Sequence, residues 1–315
     1  MSAKRWIALV AAILLFLGMV FVVARLGGGG VPGGPGPYDE VLIQGEGLNK
    51  VAVIDVEGEI VETGDPTSQA VAEDLIAQLR QAQDDPLVKA VILRINSPGG
   101  SVVASGEIYR QILTLKRAGK PVVASLGEVA ASGGYYVAAG ANRIVSDPST
   151  FTGSIGVILV LLNLEEAAGK LGVEPIVIKS GRLKDIGSPF KDLTVEERDI
   201  LQTLLDEAYD RFVGVVAEGR HLSESDVRQL ATGQPYSGEQ ALDSGLVDSL
   251  GGFDRAVAVA RRLAGIDEAS VVEYQPRLSL QDLVGRGFPG VSSAVEDLED
   301  RVGVTGPVLK YLYVT

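Results

Sequence analysis

Cysteine is absent from the 315 residues, and histidine occurs once, at His221. Without cysteine there is no thiol nucleophile, no thiolate metal site and no disulfide. With one histidine, a Ser-His-Asp triad or a multi-histidine metal centre has almost no material. His221 follows Arg220 near an expected helix end, in a polar stretch, and reads as a surface or capping histidine. Aromatic residues are scarce, 5% against 46% hydrophobic overall, so a sizeable core must come from Val, Ile, Leu and Ala. Basic residues are also in the minority, and the net charge is -13. The first 37 residues carry +3 (Lys4, Arg5 and Arg25, no acid), which leaves -16 on the rest. Neutralising phosphates needs clustered Lys and Arg, so nucleic acid is excluded as a partner. The acidity serves solubility instead.

What is present begins with a hydrophobic run. Trp6 to Ala24 is 19 residues long and uncharged. At ~1.5 Å per residue it spans roughly 28 Å, close to the ~30 Å core of a bilayer. The exit, Val22-Val23-Ala24-Arg25-Leu26, is a poor signal-peptidase site, so an uncleaved anchor is expected in residues 1–25, with the span at 6–24. Lys4 and Arg5 precede it and only Arg25 follows. The positive-inside rule then puts the N-terminus in the cytoplasm and the body outside, at the cell membrane, with a single pass. Leu26 to Pro37 is Gly/Pro-rich and reads as a tether, with the whole linker set at 26–47. A folded domain is expected over 48–270. Residues 271–315 form a C-terminal segment, partly mobile, in which Leu280 to Arg301 is acidic and weakly patterned. Pro307 to Val314 alternates like an edge strand, for which simple packing, pairing with a neighbour and lying in a groove all remain open.

From Val51 the chain alternates strand and helix signals. Strands are expected at Val51–Val56, Ala90–Ile95, Pro121–Leu126, Arg143–Ser146 and Pro175–Ile178. Ser68 is placed to cap a helix carrying Val71, Leu75, Ile76 and Leu79. Another helix buries Ile108, Ile112 and Leu115 and stops at Gly119. Thr194 and Glu197 form a capping-box signature ahead of Ile200, Leu201, Leu204, Leu205, Ala208, Phe212, Val213 and Val216. This alternation predicts an α/β fold with a largely parallel sheet.

In such sheets reactive groups collect at the C-terminal ends of strands. Two Gly-rich loops fall there, Asn96 to Gly100 and Ala130-Ala131-Ser132-Gly133-Gly134. Ser132 sits at a strand-to-helix turn with only small neighbours. That setting suits a nucleophile flanked by free backbone N–H groups; a phosphate-binding turn or tight packing would look the same. A serine nucleophile needs a base, and lysine is the type left. Its ordinary pKa of about 10.4 must fall on burial for it to accept a proton. Lys184 stands apart, in the loop Ser180-Gly181-Arg182-Leu183-Lys184-Asp185-Ile186 after an expected strand; a surface lysine paired with Asp185 is the competing reading.

Five strings occur in order: Asn96-Ser97-Pro98-Gly99-Gly100, Ala131-Ser132-Gly133-Gly134-Tyr135-Tyr136, Thr152-Gly153-Ser154-Ile155-Gly156, Ser180 to Asp185, and Tyr236-Ser237-Gly238-Glu239-Gln240-Ala241 followed by Gly245-Leu246-Val247-Asp248. Together, over roughly Val51 to Ala264, they resemble the signal peptide peptidase A (SppA) family of Ser–Lys serine proteases, in its short single-repeat form. The resemblance implies a crotonase/ClpP-like spiral of ββα units behind an N-terminal transmembrane helix. It implies Ser132 as nucleophile, Lys184 as general base, backbone N–H groups of Gly99 and Gly133 as oxyanion hole, and Ser154 as the hydroxyl that orients the lysine. No cofactor or metal is implied. The implied partners are signal-peptide remnants and other hydrophobic peptides, the membrane, and further copies in a dome-shaped ring, an octamer by family resemblance. In double-length members lysine and serine lie in different repeats, so a single-repeat chain is expected to pair Lys184 of one protomer with Ser132 of the next. Competing readings are a related Ser–Lys protease acting on other membrane proteins, a catalytically silent oligomeric scaffold, and a crotonase relative handling acyl-CoA. The last fits neither an anchor nor export.

Overall fold

A computed structural model describes residues 37–66, 68–276 and 310–312, the last three by backbone alone. The expected anchor at 6–24 and the acidic stretch Leu280 to Arg301 lie outside the described residues. No helix among the described residues is long and apolar enough to cross a membrane.

The elements run β1 (Tyr38–Gln44), β2 (Lys50–Glu57), β3 (Ile60–Val61), β4 (Ala70–Val71), α1 (Ala72–Asp84), β5 (Val88–Ser97), β6 (Gly99–Ser101), α2 (Val102–Arg117), β7 (Val122–Ala131), α3 (Gly133–Ala139), β8 (Arg143–Ser146), β9 (Phe151–Gly153), α4 (Glu165–Lys170), α5 (Val195–Arg220), α6 (Glu224–Leu230), β10 (Pro235–Ser237), α7 (Gly238–Asp243), β11 (Ser249–Leu250), α8 (Phe253–Ala264), β12 (Ser270–Pro276) and β13 (Lys310–Leu312). The main sheet has the order β1-β12-β2-β5-β7-β8-β11. From β12 to β11 the pairings are parallel, and β1 joins β12 antiparallel, so the sheet is mixed. A smaller sheet has the order β13-β6-β3-β4.

Central strands read as continuous apolar runs because both faces are covered. Ala52, Ile54 and Val56 of β2 and Val91, Leu93 and Ile95 of β5 face a core completed by α1, α2, α3 and α5. Val51, Val53, Ala90 and Ile92 point the other way, onto Ala256, Val257, Val259 and Ala260 of α8. The period-two alternation of side chains thus serves two helical layers.

Most expected elements are present, and the exceptions have physical causes. The sheet extends beyond both ends of the 48–270 interval. β1 falls inside the stretch assigned to the linker 26–47, and its partner β12 runs to Pro276. Ser68 does not cap α1: the helix starts after Val71, with no side-chain cap. The residues just before it are drawn into β4, which pairs with β3. β7 continues past Gly127 to Ala131 by changing partner, pairing with β8 up to Leu126 and with β9 from Val129. The expected strand at Pro175–Ile178 is not formed. No strand lies between β9 and β10, and Ile176 and Ile178 are 87% and 96% exposed. Among the described residues no strand pairs with that run. His221 terminates α5 in the left-handed conformation at φ 56°, the capping role its context suggested.

Candidate active site

Ser132 stands where β7 ends and α3 begins. Its backbone has φ 51° and ψ -115°, a region that side chains avoid. The turn is held on both sides. Ser132 N–H donates to Gly153 O at 2.8 Å, and Tyr136 N–H donates to Ser132 O at 2.8 Å. The small residues after it are obligatory. A Cβ on Gly133 would meet Ser105 Oγ at 2.7 Å and Gly100 N at 3.1 Å, and one on Gly134 would meet Ser97 O at 2.8 Å. The strain is of the kind that persists only where surrounding structure enforces it.

Ser132 is 1% exposed, and its Oγ has no hydrogen-bond partner among the described residues. A buried hydroxyl without a partner costs about 1–3 kcal/mol, so its vacancy asks for an explanation. The Gly133 N–H opens α3 and has no backbone partner among the described residues. The Gly99 N–H, by contrast, donates to Ser97 Oγ at 3.1 Å.

Ser154 is brought alongside by register. β9 pairs with the end of β7, Gly153 opposite Ala131, so residue 154 leaves the sheet beside residue 132. Ser154 is 7% exposed and also has positive φ, 49°. Its N–H donates to Gln234 O at 3.0 Å.

Lys184 is not brought to this group within one chain. It lies exposed in the turn Gly181–Gly187, where its N–H donates to Gly181 O at 3.1 Å. The competing reading of a Lys184–Asp185 pair does not hold either. Asp185 is taken by Lys179 at 2.6 Å and Lys191 at 3.1 Å. Arg182 pairs with Glu196. The hydrogen bonds from Lys179 and Lys191 hold the Asp185 carboxyl down at about 2. Every other cation of this loop is anchored, and Lys184 has no ion pair among the described residues.

Three neighbours escaped sequence reasoning. Ser97 Oγ accepts from Gly99; Asn96 Oδ1 accepts from Val129 N–H at 3.1 Å and ties the end of β5 to β7. Ser105, fully buried on α2, has its Oγ against Gly133 and without a hydrogen-bond partner among the described residues. A serine among Ala104, Ile108 and Ile112 on an apolar helix face was the available signal. One edge of β6 carries β13 antiparallel, Tyr311 opposite Gly100 and Leu312 opposite Gly99.

Known proteins resemble this chain in sequence. The family model for peptidase family S49 matches residues 114–267, and that for Clp protease matches residues 46–150. An Enterococcus faecium protein provisionally named signal peptide peptidase SppA is 38% identical over 241 residues, 75% of this chain and 70% of its own. A Synechocystis protein provisionally named as a protease is 42% identical over 256 residues, 81% of this chain and 88% of its own. Protease 4 of Haemophilus influenzae is 42% identical over 226 residues, 71% of this chain but 36% of its own length. The Clp protease match accords with the mixed-sheet α/β architecture, and identity sustained over most of this chain and of its shorter relatives places it in peptidase family S49, among the serine proteases.

Proposed function

We propose that the chain is a membrane-anchored endopeptidase whose working site pairs Ser132 of one copy with Lys184 of another. The observation that carries this reading is the mismatch between the two groups. Among the described residues Ser132 Oγ is buried without a hydrogen-bond partner, while Lys184 is exposed and has no ion pair on the same chain. A general base must come within about 2.6–3.2 Å of the proton it takes. Placed against Ser132 and Ser154, a second chain's lysine would leave water for an enclosed site, and burial would lower its proton affinity toward neutral pH.

The cycle is acyl transfer. Neutral Lys184 takes the Ser132 proton as Oγ attacks the peptide carbonyl, and Ser154 orients the lysine. The oxyanion receives the N–H of Gly133 and that of Gly99. Gly99 exchanges its 3.1 Å bond to the neutral Ser97 hydroxyl for a charged acceptor, which binds an N–H more strongly. Lysine then protonates the leaving amine, and water releases the acyl group. An extended substrate strand would add along β6, a binding mode that β13 already illustrates.

Hydrophobic peptides released at the membrane, signal-peptide remnants first among them, are the substrates this reading favours. A Gly/Pro tether behind an anchor at 6–24 would hold the site near that surface, outside the cell. The Enterococcus relative's name points the same way. A ring of copies, an octamer by family resemblance, would complete every site. In the test, purified Ser132→Ala and Lys184→Ala each lose peptide hydrolysis by at least about a thousandfold, the scale of a lost nucleophile or base, while remaining assembled. Cleavage retained by Lys184→Ala rules out the dyad. Equal turnover of polar and hydrophobic peptides rules out the substrate class.

A further inference from the structure

Five buried side-chain atoms among the described residues lack a hydrogen-bond partner: Glu40 Oε1, Ser105 Oγ, Ser132 Oγ, Asp185 Oδ1 and Tyr274 Oη. Glu40 and Asp185 are acids already held by lysines. Tyr274 lies on β12, three strands away from β7. The other two are serine hydroxyls that meet at Gly133. Ser132 precedes it in the chain, and Ser105 packs against it from α2.

Packing alone does not ask for a serine at 105. Its neighbours on the buried face of α2 include Ala104, Ile108 and Ile112. A serine inside a helix ordinarily turns its hydroxyl to the carbonyl one turn back, and Ser105 Oγ does not. Helical side chains lean toward the N-terminus of their helix, and that end of α2 is the Gly99 turn itself. Gly99–Ser101 forms β6, and Ser101 caps α2, its Oγ accepting from Ala104 N–H at 3.3 Å. The point where a Cβ of Gly133 would stand is 2.7 Å from Ser105 Oγ and 3.1 Å from both Gly100 N and Gly99 Cα. The hydroxyl thus lies where the two backbone segments of the oxyanion hole come together.

That junction changes during the acyl-transfer cycle. The Gly99 N–H donates to Ser97 Oγ at 3.1 Å and must turn away to reach an oxyanion. Gly99 has φ 105°, a region open to glycine, so the turn meets no Cβ barrier. We infer that Ser105 is a positioning residue for the oxyanion hole, whose hydroxyl bonds the Gly99–Gly100 backbone once the Gly99 N–H has turned to the oxyanion. A hydroxyl suits this role because it rotates and can donate or accept. A bond made only in the transition state raises kcat and leaves KM alone. The inference rests on Ser132 as nucleophile and on the Gly99 and Gly133 amides as its oxyanion hole. Ser105 itself touches no substrate.

The test compares the full-length, assembled wild type with Ser105→Ala and Ser105→Cys. Ser105→Ala removes a buried hydroxyl that bonds nothing in the resting fold, so its Tm should equal or exceed that of wild type. Its kcat for a peptide should fall about ten- to a hundredfold, with KM within twofold. Affinity for a peptide aldehyde, whose hemiacetal with Ser132 Oγ places an oxygen in the oxyanion hole, should weaken by a similar factor. Affinity for the product peptide should not change. Ser105→Cys keeps the volume but bonds weakly, and should lose kcat as alanine does. Wild-type kcat in Ser105→Ala, a loss confined to KM, or Tm and kcat falling together overturns the inference. Full activity in Ser105→Cys also overturns it, because volume alone would then suffice. Ser132→Ala, measured alongside, separates the two readings. If it stays active, the nucleophile assignment fails and the role of Ser105 with it. If it is inactive while Ser105→Ala matches wild type, the role of Ser105 fails alone.

Discussion

At the scale of single residues, the site is defined by a serine held where serine does not belong. Glycine adopts φ 51°, ψ -115° without penalty, so Ser132→Gly should remove about 1 kcal/mol of strain along with a buried, partnerless hydroxyl. For a domain of this size that is a Tm about 2–4 °C higher, in a protein without peptidase activity. Calorimetry checks it, and an unchanged or lower Tm would mean that the turn stores no strain. Gly133→Ala should do the reverse and destabilise, because its Cβ would sit 2.7 Å from Ser105 Oγ. The Ala and Gly neighbours draw attention to Ser132, but a phosphate-binding turn or tight packing would have the same neighbours, and its role as nucleophile comes from the family resemblance. Neither the φ angle nor the Ser97–Gly99 hydrogen bond was legible, because both depend on how two distant loops close on each other.

At the scale of elements, the segment between β9 and α5 holds ten of the 19 exposed large apolar side chains among the described residues. Its apolar run Pro175–Ile178 reads as a strand by composition, yet β structure needs a neighbouring edge that sequence cannot reveal. The same holds for α5. The capping box is formed as read, Thr194 Oγ1 accepting from Glu197 N–H at 3.2 Å, and Ala208, Phe212, Val213 and Val216 are buried. Leu204, on the same helical stripe, is 45% exposed. Periodicity finds an apolar face but not what covers it.

The loop's order should depend on pH. The Asp185 carboxyl is held down at about 2 by hydrogen bonds from Lys179 and Lys191, below the ordinary ~3.9. A depressed carboxyl stabilises the fold above its ordinary value and loses that contribution as pH falls through its folded value. The turn around Lys184 should therefore keep its hydrogen-exchange protection, corrected for intrinsic rate, down to pH ~4, and lose it between there and about 2. Loss by pH 6 would contradict the Lys179–Asp185–Lys191 anchor. The tail offers a further check. Because β13 lies along β6, deleting residues 307–315 should lower KM for peptides without lowering Tm, and an unchanged KM would mean that β6 is not the substrate edge.

For the whole molecule, β1 is locked to the body by a buried charge cluster. Lys50 Nζ pairs with Glu40 at 2.6 Å and Asp85 at 2.9 Å, and both carboxylates are nearly inaccessible, at 2% and 3% side-chain exposure. Lys50→Met strands two buried acids, which should cost about 3–5 kcal/mol in chemical denaturation. A loss under 1 kcal/mol would show that water reaches the cluster. This clamp helps hold β1, which lies before residue 48, in the sheet. β1 follows directly on a Gly/Pro run, and the linker assignment ran on through it, whereas its pairing with β12 across more than two hundred residues makes it part of the sheet.

If Lys184 from another copy activates Ser132, the labelling rate of Ser132 by a serine-directed covalent probe must depend on assembly. Measured per chain across a dilution series from assembled to monomeric protein, labelling should be fast in the assembly, fall steeply on dilution, and be lost in Lys184→Ala at every concentration. Labelling of wild-type monomer as fast as that of the assembly, or undiminished in Lys184→Ala, would contradict it.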